Sequence, residues 1–255
     1  KLMTDYKAIH GKTVQSLASD PDTAAYEGQI WFNSTSSDYK TITKIAGAWS
    51  TGGNLNTARG LMGAAGTQTA GLGFGGNTAP VTANSEEYDG SAWAEGDNLN
   101  GARSQLGGAG TQTAAVGFSG TPSPLAADSE EYNGSSWTEG NDMNTGRRNG
   151  AEAGTQTAAM AITGGSPDVA NVEHYNGTSW SEGADVNTAR FVLPGCGTNT
   201  AAIIAGGDPN VASTESYDGS SWTEVSDLNT GRSDCGMAGS SDAASFFGGS
   251  VGGTR

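Results

Sequence analysis

The chain has 255 residues, 41 of them glycine, and a hydrophobic fraction of only 35%. Glycine, serine, threonine and asparagine favour short strands joined by tight turns, so little helix is expected. The formal net charge of −15 opposes nucleic-acid binding, because that affinity depends on clustered Lys and Arg facing phosphates. No run of about 18 apolar residues occurs, so membrane insertion is not expected either.

The N-terminal part of the chain differs from the rest. Residues 1–25 lack strong periodicity and are predicted to form an arm or linker. Residues 26–255 are predicted to form one all-β domain. Near its start, residues 28–33 and residues 42–49 each have the composition of a strand.

A tryptophan then recurs at a nearly constant interval, with separations of 44, 44, 43 and 42 residues. Internal repeats of about 40 to 50 residues that encode four strands are typical of β-propeller blades. The five residues that define the interval are Trp49, Trp93, Trp137, Trp180 and Trp222.

Each repeat begins with an Asn-x-x-Arg element, and a glycine follows the arginine seven residues later. A Thr-Gln-Thr-Ala element comes next, as at 67–70, and predicts a polar hairpin turn. The short apolar run that follows ends in a glycine pair such as Gly75-Gly76 and predicts a strand. The repeated arginines are Arg59, Arg103, Arg147, Arg190 and Arg232.

The second half of each repeat contains a Glu-x-Tyr-Asp/Asn-Gly element and closes with Ser-x-Trp. Asp-Gly or Asn-Gly between two aromatic-bearing runs is a strong hairpin signal, because glycine accepts a positive φ. Each repeat therefore predicts four strands and three turns.

A glycine pair, a spaced Tyr and Trp, and then Arg, recurring in that order, resemble the kelch repeat across residues 46–250. The resemblance implies a kelch-type β-propeller. The last repeat, from Arg232 to Gly249, encodes only two strands, and the segments 28–33 and 42–49 are predicted to complete it. This closure gives five blades and hides two sheet edges. An open array that continues beyond Arg255 is the alternative.

The repeated aromatic and arginine residues have two interpretations. Tryptophan and tyrosine could stack on sugars, but one of each per blade is better explained by packing between sheets. Arginine in every blade could bind an acidic ligand, but it is better explained by a structural partner in the adjoining repeat. The candidate carboxylate partners are Glu86, Glu130, Glu173 and Glu215.

Function is expected where the copies differ, which is in the loop after each glycine pair. These loops are expected to gather on one face, although tolerance to drift explains the same variation without a ligand. Asp168 and Asp208 could accept hydrogen bonds from sugar hydroxyls. The full set of candidate ligand-binding residues is Asn77, Asn84, Asp128, Asp168, Asn171, Asp208 and Asn210.

Catalytic and metal-binding patterns are not recognisable. The two histidines, His10 and His174, belong to no Ser/His/Asp grouping, and no metal-ligand spacing occurs. Cys196 and Cys235 occupy different positions in neighbouring repeats, so a disulfide framework is not expected. The sequence predicts a protein that is not an enzyme and has no cofactor and no metal.

Three segments are similar to kelch-like virion proteins of marine tailed phages: 66–70, 217–222 and 27–35. The resemblance implies a tail-fibre or decoration-type structural protein on the virion surface, which contacts other virion proteins and adheres to a host-surface glycan or protein. Homo-oligomerisation is left open. A kelch-type adaptor of cellular origin that binds another protein is the alternative. A secreted carbohydrate-active enzyme is disfavoured, because no acid/base pair has a recognisable spacing.

Overall fold

The computed structural model describes residues 15–17, 30–41, 51–122, 127–165 and 167–251. The chain divides into two compact units, Lys1–Thr51 and Gly52–Arg255. The domain boundary predicted after residue 25 lies outside the described residues. Throughout those residues the secondary structure is β-strand, turn and loop, as the composition predicts.

The first unit contains a small mixed sheet. Its strands are β1 (Gln15–Leu17), β2 (Ile30–Asn33) and β3 (Asp38–Thr41). β2 lies in the middle, parallel to β1 and antiparallel to β3. The buried side chain of Asn33 accepts hydrogen bonds from the backbone N–H groups of Thr35 and Ser36, which forms the turn between β2 and β3.

The second unit contains four antiparallel sheets of four strands each among its described residues. Successive strands pair in chain order, so each sheet is a meander. The first two sheets contain β4 (Gly63–Thr67), β5 (Ala70–Phe74), β6 (Ser85–Tyr88), β7 (Trp93–Glu95), β8 (Gly107–Thr111), β9 (Ala114–Phe118), β10 (Ser129–Tyr132) and β11 (Trp137–Glu139). The next two contain β12 (Ala151–Thr155), β13 (Ala158–Gly164), β14 (Val169–Tyr175), β15 (Trp180–Glu182), β16 (Gly195–Thr198), β17 (Ala201–Ala205), β18 (Thr214–Tyr217) and β19 (Trp222–Val225).

The predicted turns lie where the repeat motifs place them. Thr67 pairs with Ala70, so the Thr-Gln-Thr-Ala element closes the first hairpin. Gly66 has a φ of +106°, and a Cβ at this position would lie 2.2 Å from the carbonyl oxygen of Ala70. A larger residue is therefore excluded by both φ and space. The predicted unit of four strands and three turns is confirmed for four repeats.

The hydrophobic core is divided into layers between consecutive sheets. One layer joins the first sheet to the second, and equivalent layers follow between the second and third and between the third and fourth. Phe74 of β5 and Trp137 of β11 have ring centroids 4.8 Å apart, and Phe118 and Trp180 repeat this contact at 4.9 Å. Burial of aromatic rings between sheets is the main stabilising term of such a fold.

A fifth repeat follows with two strands, β20 (Ser233–Ser240) and β21 (Ala243–Ser250). The first strands of successive repeats, β4, β8, β12, β16 and β20, are neighbours in that order. The fold is therefore a β-propeller arrangement with four complete blades among the described residues.

The predicted closure into five blades is not confirmed. The segment 28–33 was expected beside the last repeat, but β2 is hydrogen bonded on both edges by β1 and β3. A strand has only two edges, so β2 cannot also extend another sheet. The other segment, 42–49, lies outside the described residues, as does Trp49.

Candidate functional site

The loops that follow the glycine pairs lie at one end of the propeller unit. In three repeats the residue after the conserved arginine bridges to this loop, as Gly60 does to Asn77. Ser104 bridges to Thr121 and Arg148 to Gly165 in the same way. We call the end of the unit that carries these loops the loop face.

A chain of backbone hydrogen bonds joins the repeats at this face. The N–H of Gln105 donates to the carbonyl oxygen of Leu61 at 2.7 Å, and the equivalent bonds in later repeats measure 3.1, 2.8 and 3.3 Å. All five residues have φ between +51° and +60°, although none is glycine. Strained backbone of this kind persists only where its surroundings hold it. The participants, called the axial ring, are Leu61, Gln105, Asn149, Val192 and Asp234.

The repeated arginines of the four complete blades are buried against carboxylates of their own sheets. Arg59 contacts Glu86 at 2.8 Å, and the equivalent pairs Arg103–Glu130 and Arg190–Glu215 measure 2.7 and 2.6 Å. Arg147 pairs with Glu173 in the same way. All eight side chains are at most 3% exposed, so these arginines are not accessible to a ligand on the surface.

The fifth arginine differs from the other four. The guanidinium of Arg232 donates to the carbonyl oxygen of Gly248 at 3.1 Å and is half-buried. Within the described parts of the chain, no carboxylate forms an ion pair with it.

The repeated tryptophans and tyrosines of the second, third and fourth sheets lie between sheets. The indole N–H of Trp137 donates to Ser85 Oγ of the preceding sheet at 3.3 Å, and Trp180 donates to Ser129 in the same way. The hydroxyl of Tyr175 donates to Glu131 of the preceding sheet at 2.7 Å. Burial and this carboxylate together raise the pKa of Tyr175. Trp93 and Trp222 donate to backbone carbonyls, those of Gly53 and Ala184.

The Thr-Gln-Thr-Ala turn has a second role that the sequence pattern did not indicate. The side chain of Gln112 donates to two carbonyl oxygens of the preceding sheet, those of Gly71 and Tyr88, at 3.1 and 2.8 Å. Gln156 makes the same two bonds one repeat later. The turn therefore ties neighbouring blades together at the end opposite the loop face.

The seven candidate ligand-binding residues divide into two groups. The side chains of Asn77, Asn84, Asn171 and Asn210 all take part in hydrogen bonds within the loops or to neighbouring elements. Asp128, Asp168 and Asp208 are exposed carboxylates. Residues 123–126 and 166 of the same loops lie outside the described residues.

A cavity of about 270 Å³, which we call the axial cavity, lies next to the axial ring. Its walls include the axial ring and residues at or just before the start of the first strands, among them Met62, Leu106 and Leu193, together with Met237 within β20. No local sequence pattern indicates this cavity, because its lining comes from positions scattered over five repeats.

Glu152 also lines the axial cavity. The other repeats have Ala64, Gly108, Gly195 and Met237 at this position, which is two residues before the conserved glycine. Burial alone raises the pKa of Glu152 to about 8. An acidic residue at an otherwise small or apolar repeat position was the signal that could have identified it.

His174 occupies the place that Glu87 and Glu131 hold in earlier repeats. Its ring lies 5.7 Å from that of Tyr217, and burial lowers its pKa. Cys196 and Cys235 are free thiols. Over the described ranges, no three His, Cys, Asp or Glu residues are grouped so that they could hold a metal ion.

Comparison with known proteins gives no family for this chain: no family model matches it, and neither does any curated protein. Among the residues that the structure describes, there is no α-helix suited to crossing a bilayer.

Proposed function

We propose that this protein is a non-enzymatic adhesion module of a phage virion, of the tail-fibre or decoration type, which binds a host-surface glycan through its loop face. The phage assignment and the kelch assignment rest on the sequence resemblance. The observation that carries the binding proposal is the contrast between the repeated polar residues, which are buried in ion pairs, and the exposed carboxylates of the loops.

The position of the loops supports a single binding surface. Backbone bonds of the axial ring hold the starts of the first strands together, and the loops bridge to these starts. Exposed residues such as Asp168 and Asp208 are therefore carried by a rigid scaffold, which limits the entropy lost on binding. A rigid scaffold with variable loops is a common arrangement for recognition.

The composition of the loops favours a glycan over a protein ligand. Protein interfaces have a desolvated core rich in aromatic residues. The described loop segments 77–84, 121–122 and 208–213 contain no aromatic residue and instead offer carboxylate, amide and hydroxyl groups. Such groups pair well with the hydroxyls of a sugar.

The proposal includes the closure of the propeller into five blades, with the segment 42–49 completing the sheet of β20 and β21. Trp49 has the same spacing from Trp93 as Trp93 has from Trp137, which supports an equivalent position.

A glycan array probed with the whole chain tests the binding proposal. The wild-type protein should bind a defined set of glycans, and the double variant Asp168→Ala/Asp208→Ala should bind them about tenfold more weakly or worse, because each lost charge-assisted hydrogen bond contributes about 1.5 kcal/mol or more. Asp242→Ala is the matched control, since Asp242 is an exposed carboxylate in the β20–β21 turn at the opposite end.

Unchanged binding by the double variant would remove the loop face as the site. Absence of any glycan ligand, together with capture of a protein that the double variant fails to bind, would favour the kelch-type adaptor. Cleavage of a bound glycan would contradict the non-enzymatic assignment.

A further inference from the structure

The axial cavity is separate from the exposed carboxylates of the loops. Its lining combines apolar side chains, such as Leu106, Leu193 and Met237, with polar ones, and the polar side chains are Gln105, Asn149, Glu152 and Asp234. Leu61 of the ring is 51% exposed, so the cavity opens to solvent at the loop face. No Lys or Arg is among its lining residues in the described part of the chain.

We propose that this cavity is a second binding site, for a small organic cation whose ammonium group pairs with Glu152 and whose short aliphatic stem packs on the leucine and methionine side chains. The site is independent of the glycan site, because Glu152 belongs to a first strand and not to a loop.

The chemistry of the lining selects this class of ligand. A carboxylate that is partly withdrawn from solvent is costly to ionise unless a cation or a hydrogen-bond donor pairs with it. Burial raises the pKa of Glu152, and among the described residues no hydrogen bond to its carboxyl group offsets that effect. An anionic ligand would be repelled by an ionised Glu152, and no Lys or Arg lines the cavity among the described residues. A neutral apolar ligand would leave the carboxyl unpaired.

The space beside Glu152 is also specific to this repeat. Glu152 pairs across the hairpin with Ala161, and the corresponding pair in the preceding sheet is Gly108 with Gly117. A Cβ at Gly108 or Gly117 would meet Phe74 of the first sheet within 2.7 Å, so the second sheet has no space for a side chain at the position that Glu152 occupies in the third. A second, smaller cavity of about 10 Å³ between the two sheets is lined by Glu152 and Phe118 as well.

Few other titratable or charged groups surround Glu152. β4, β8 and β13 carry none. The guanidinium of Arg147 is paired with Glu173. Burial raises the pKa of the thiols of Cys196 and Cys235, which keeps both protonated at neutral pH. The remaining groups on neighbouring segments are Arg148 and Asp234.

Calorimetric titration of the whole chain with n-butylammonium chloride tests this site, with 1-butanol as the neutral probe of similar shape. We expect one ammonium to bind per chain, more tightly at about pH 9 than at about pH 6, with a change approaching tenfold per pH unit below about pH 8. The amine stays charged over this range, because alkylammonium groups titrate near pH 10. The neutral alcohol should bind weakly and without this pH dependence.

Glu152→Gln should abolish the ammonium binding at about pH 9, whereas Glu224→Gln, which removes an exposed charge from β19, should leave it unchanged. Circular dichroism confirms that both variants are folded. The proposal would be overturned if the Glu152→Gln variant bound the ammonium as tightly as the wild type does. It would also be overturned if the wild type bound 1-butanol as tightly as the ammonium, or if the folded wild type bound no ammonium at about pH 9. Glycan binding by the same variants reports separately on the loop face.

Discussion

Glu173 explains why asparagine and arginine recur three residues apart. Its carboxylate accepts the backbone N–H of Asn144 at 2.7 Å, the side-chain amide of Asn144 at 2.9 Å and the guanidinium of Arg147. The Asn-x-x-Arg segment therefore donates several hydrogen bonds to one buried carboxylate. Both residue types are needed, because a buried carboxylate must receive several donors to remain ionised.

Glu173→Gln should lower the free energy of unfolding by about 3 kcal/mol or more, because it leaves Arg147 as an uncompensated buried charge. Urea denaturation measures the change. Glu182→Gln is the control on an exposed position of β15, where an effect within about 0.5 kcal/mol is expected. Similar losses in both variants would contradict a special role for the buried pair.

Glu152 should make the protein less stable at alkaline pH. Its pKa of about 8 in the folded protein exceeds the ordinary value of 4.5, so the folded state holds a proton that the unfolded chain releases between these values. Stability should therefore fall as pH rises from about 4.5 to about 8. Glu152→Gln should remove this decline and be more stable than wild type at about pH 8, by an amount on the order of 3 kcal/mol.

Thermal or urea unfolding across this pH range measures the effect. Glu224→Gln serves as the control for net charge, and its stability should follow that of the wild type. A stability difference between the wild type and Glu152→Gln that stays constant from about pH 4.5 to about pH 8 would contradict a raised pKa for Glu152.

At the scale of the strands, neighbouring sheets are joined by a repeated set of polar contacts around an aromatic layer. The hydroxyl of Tyr175 on β14 reaches Glu131 on β10, and Gln156 of the β12–β13 turn reaches two carbonyls of the second sheet. The contact between the third and fourth sheets differs, because His174 replaces the glutamate opposite Tyr217. Sequence comparison between repeats identifies this difference directly.

Tyr175→Phe should destabilise the protein by about 1.5 kcal/mol, because it removes a hydrogen bond to a charged group. Tyr217→Phe is the matched control and should cost less, since a histidine ring faces this tyrosine. Urea denaturation measures both losses, and the single variants Tyr175→Phe and Glu131→Gln together with their double variant give the coupling energy. Equal losses for the two tyrosines would assign the effect to ring packing.

At the scale of the whole molecule, equivalent residues at the starts of the first strands of five repeats are linked by one chain of backbone hydrogen bonds and line one cavity. β20 continues the series of first strands after the fourth blade. Its sheet contains only β20 and β21 among the described residues. The proposed fifth blade requires two further strands, and the segment 42–49 is the one that carries a tryptophan in phase with the repeat.

Trp49→Ala tests that closure. If Trp49 packs in a fifth blade, its loss should lower the unfolding free energy by about 3 to 5 kcal/mol, as expected for a buried aromatic residue. Trp180→Ala provides the reference for a tryptophan that is 6% exposed between two sheets. A Trp49→Ala variant as stable as the wild type, beside a destabilised Trp180→Ala variant, would exclude the closure.

The repeat period, the four-stranded sheets and the positions of the turns followed from the sequence alone. These features depend on local chemistry, such as glycine at positive φ in Gly66 and the alternation of residues along each strand. The glutamates were anticipated as partners of the arginines, because both recur once per repeat, but the partner was expected in the adjoining repeat, and Arg59 instead pairs with Glu86 of its own sheet.

The tertiary structure alone decided the place of β2, the axial ring and the surroundings of Glu152. Residues 30–33 have a strand pattern. Which sheet edge the strand pairs with depends on the relative stability of pairing with each of the edges that the fold offers. Glu152 is one position in a repeat, and only the convergence of five first strands places its carboxyl in a cavity. Such properties arise from how sheets pack around an axis, which no local pattern encodes.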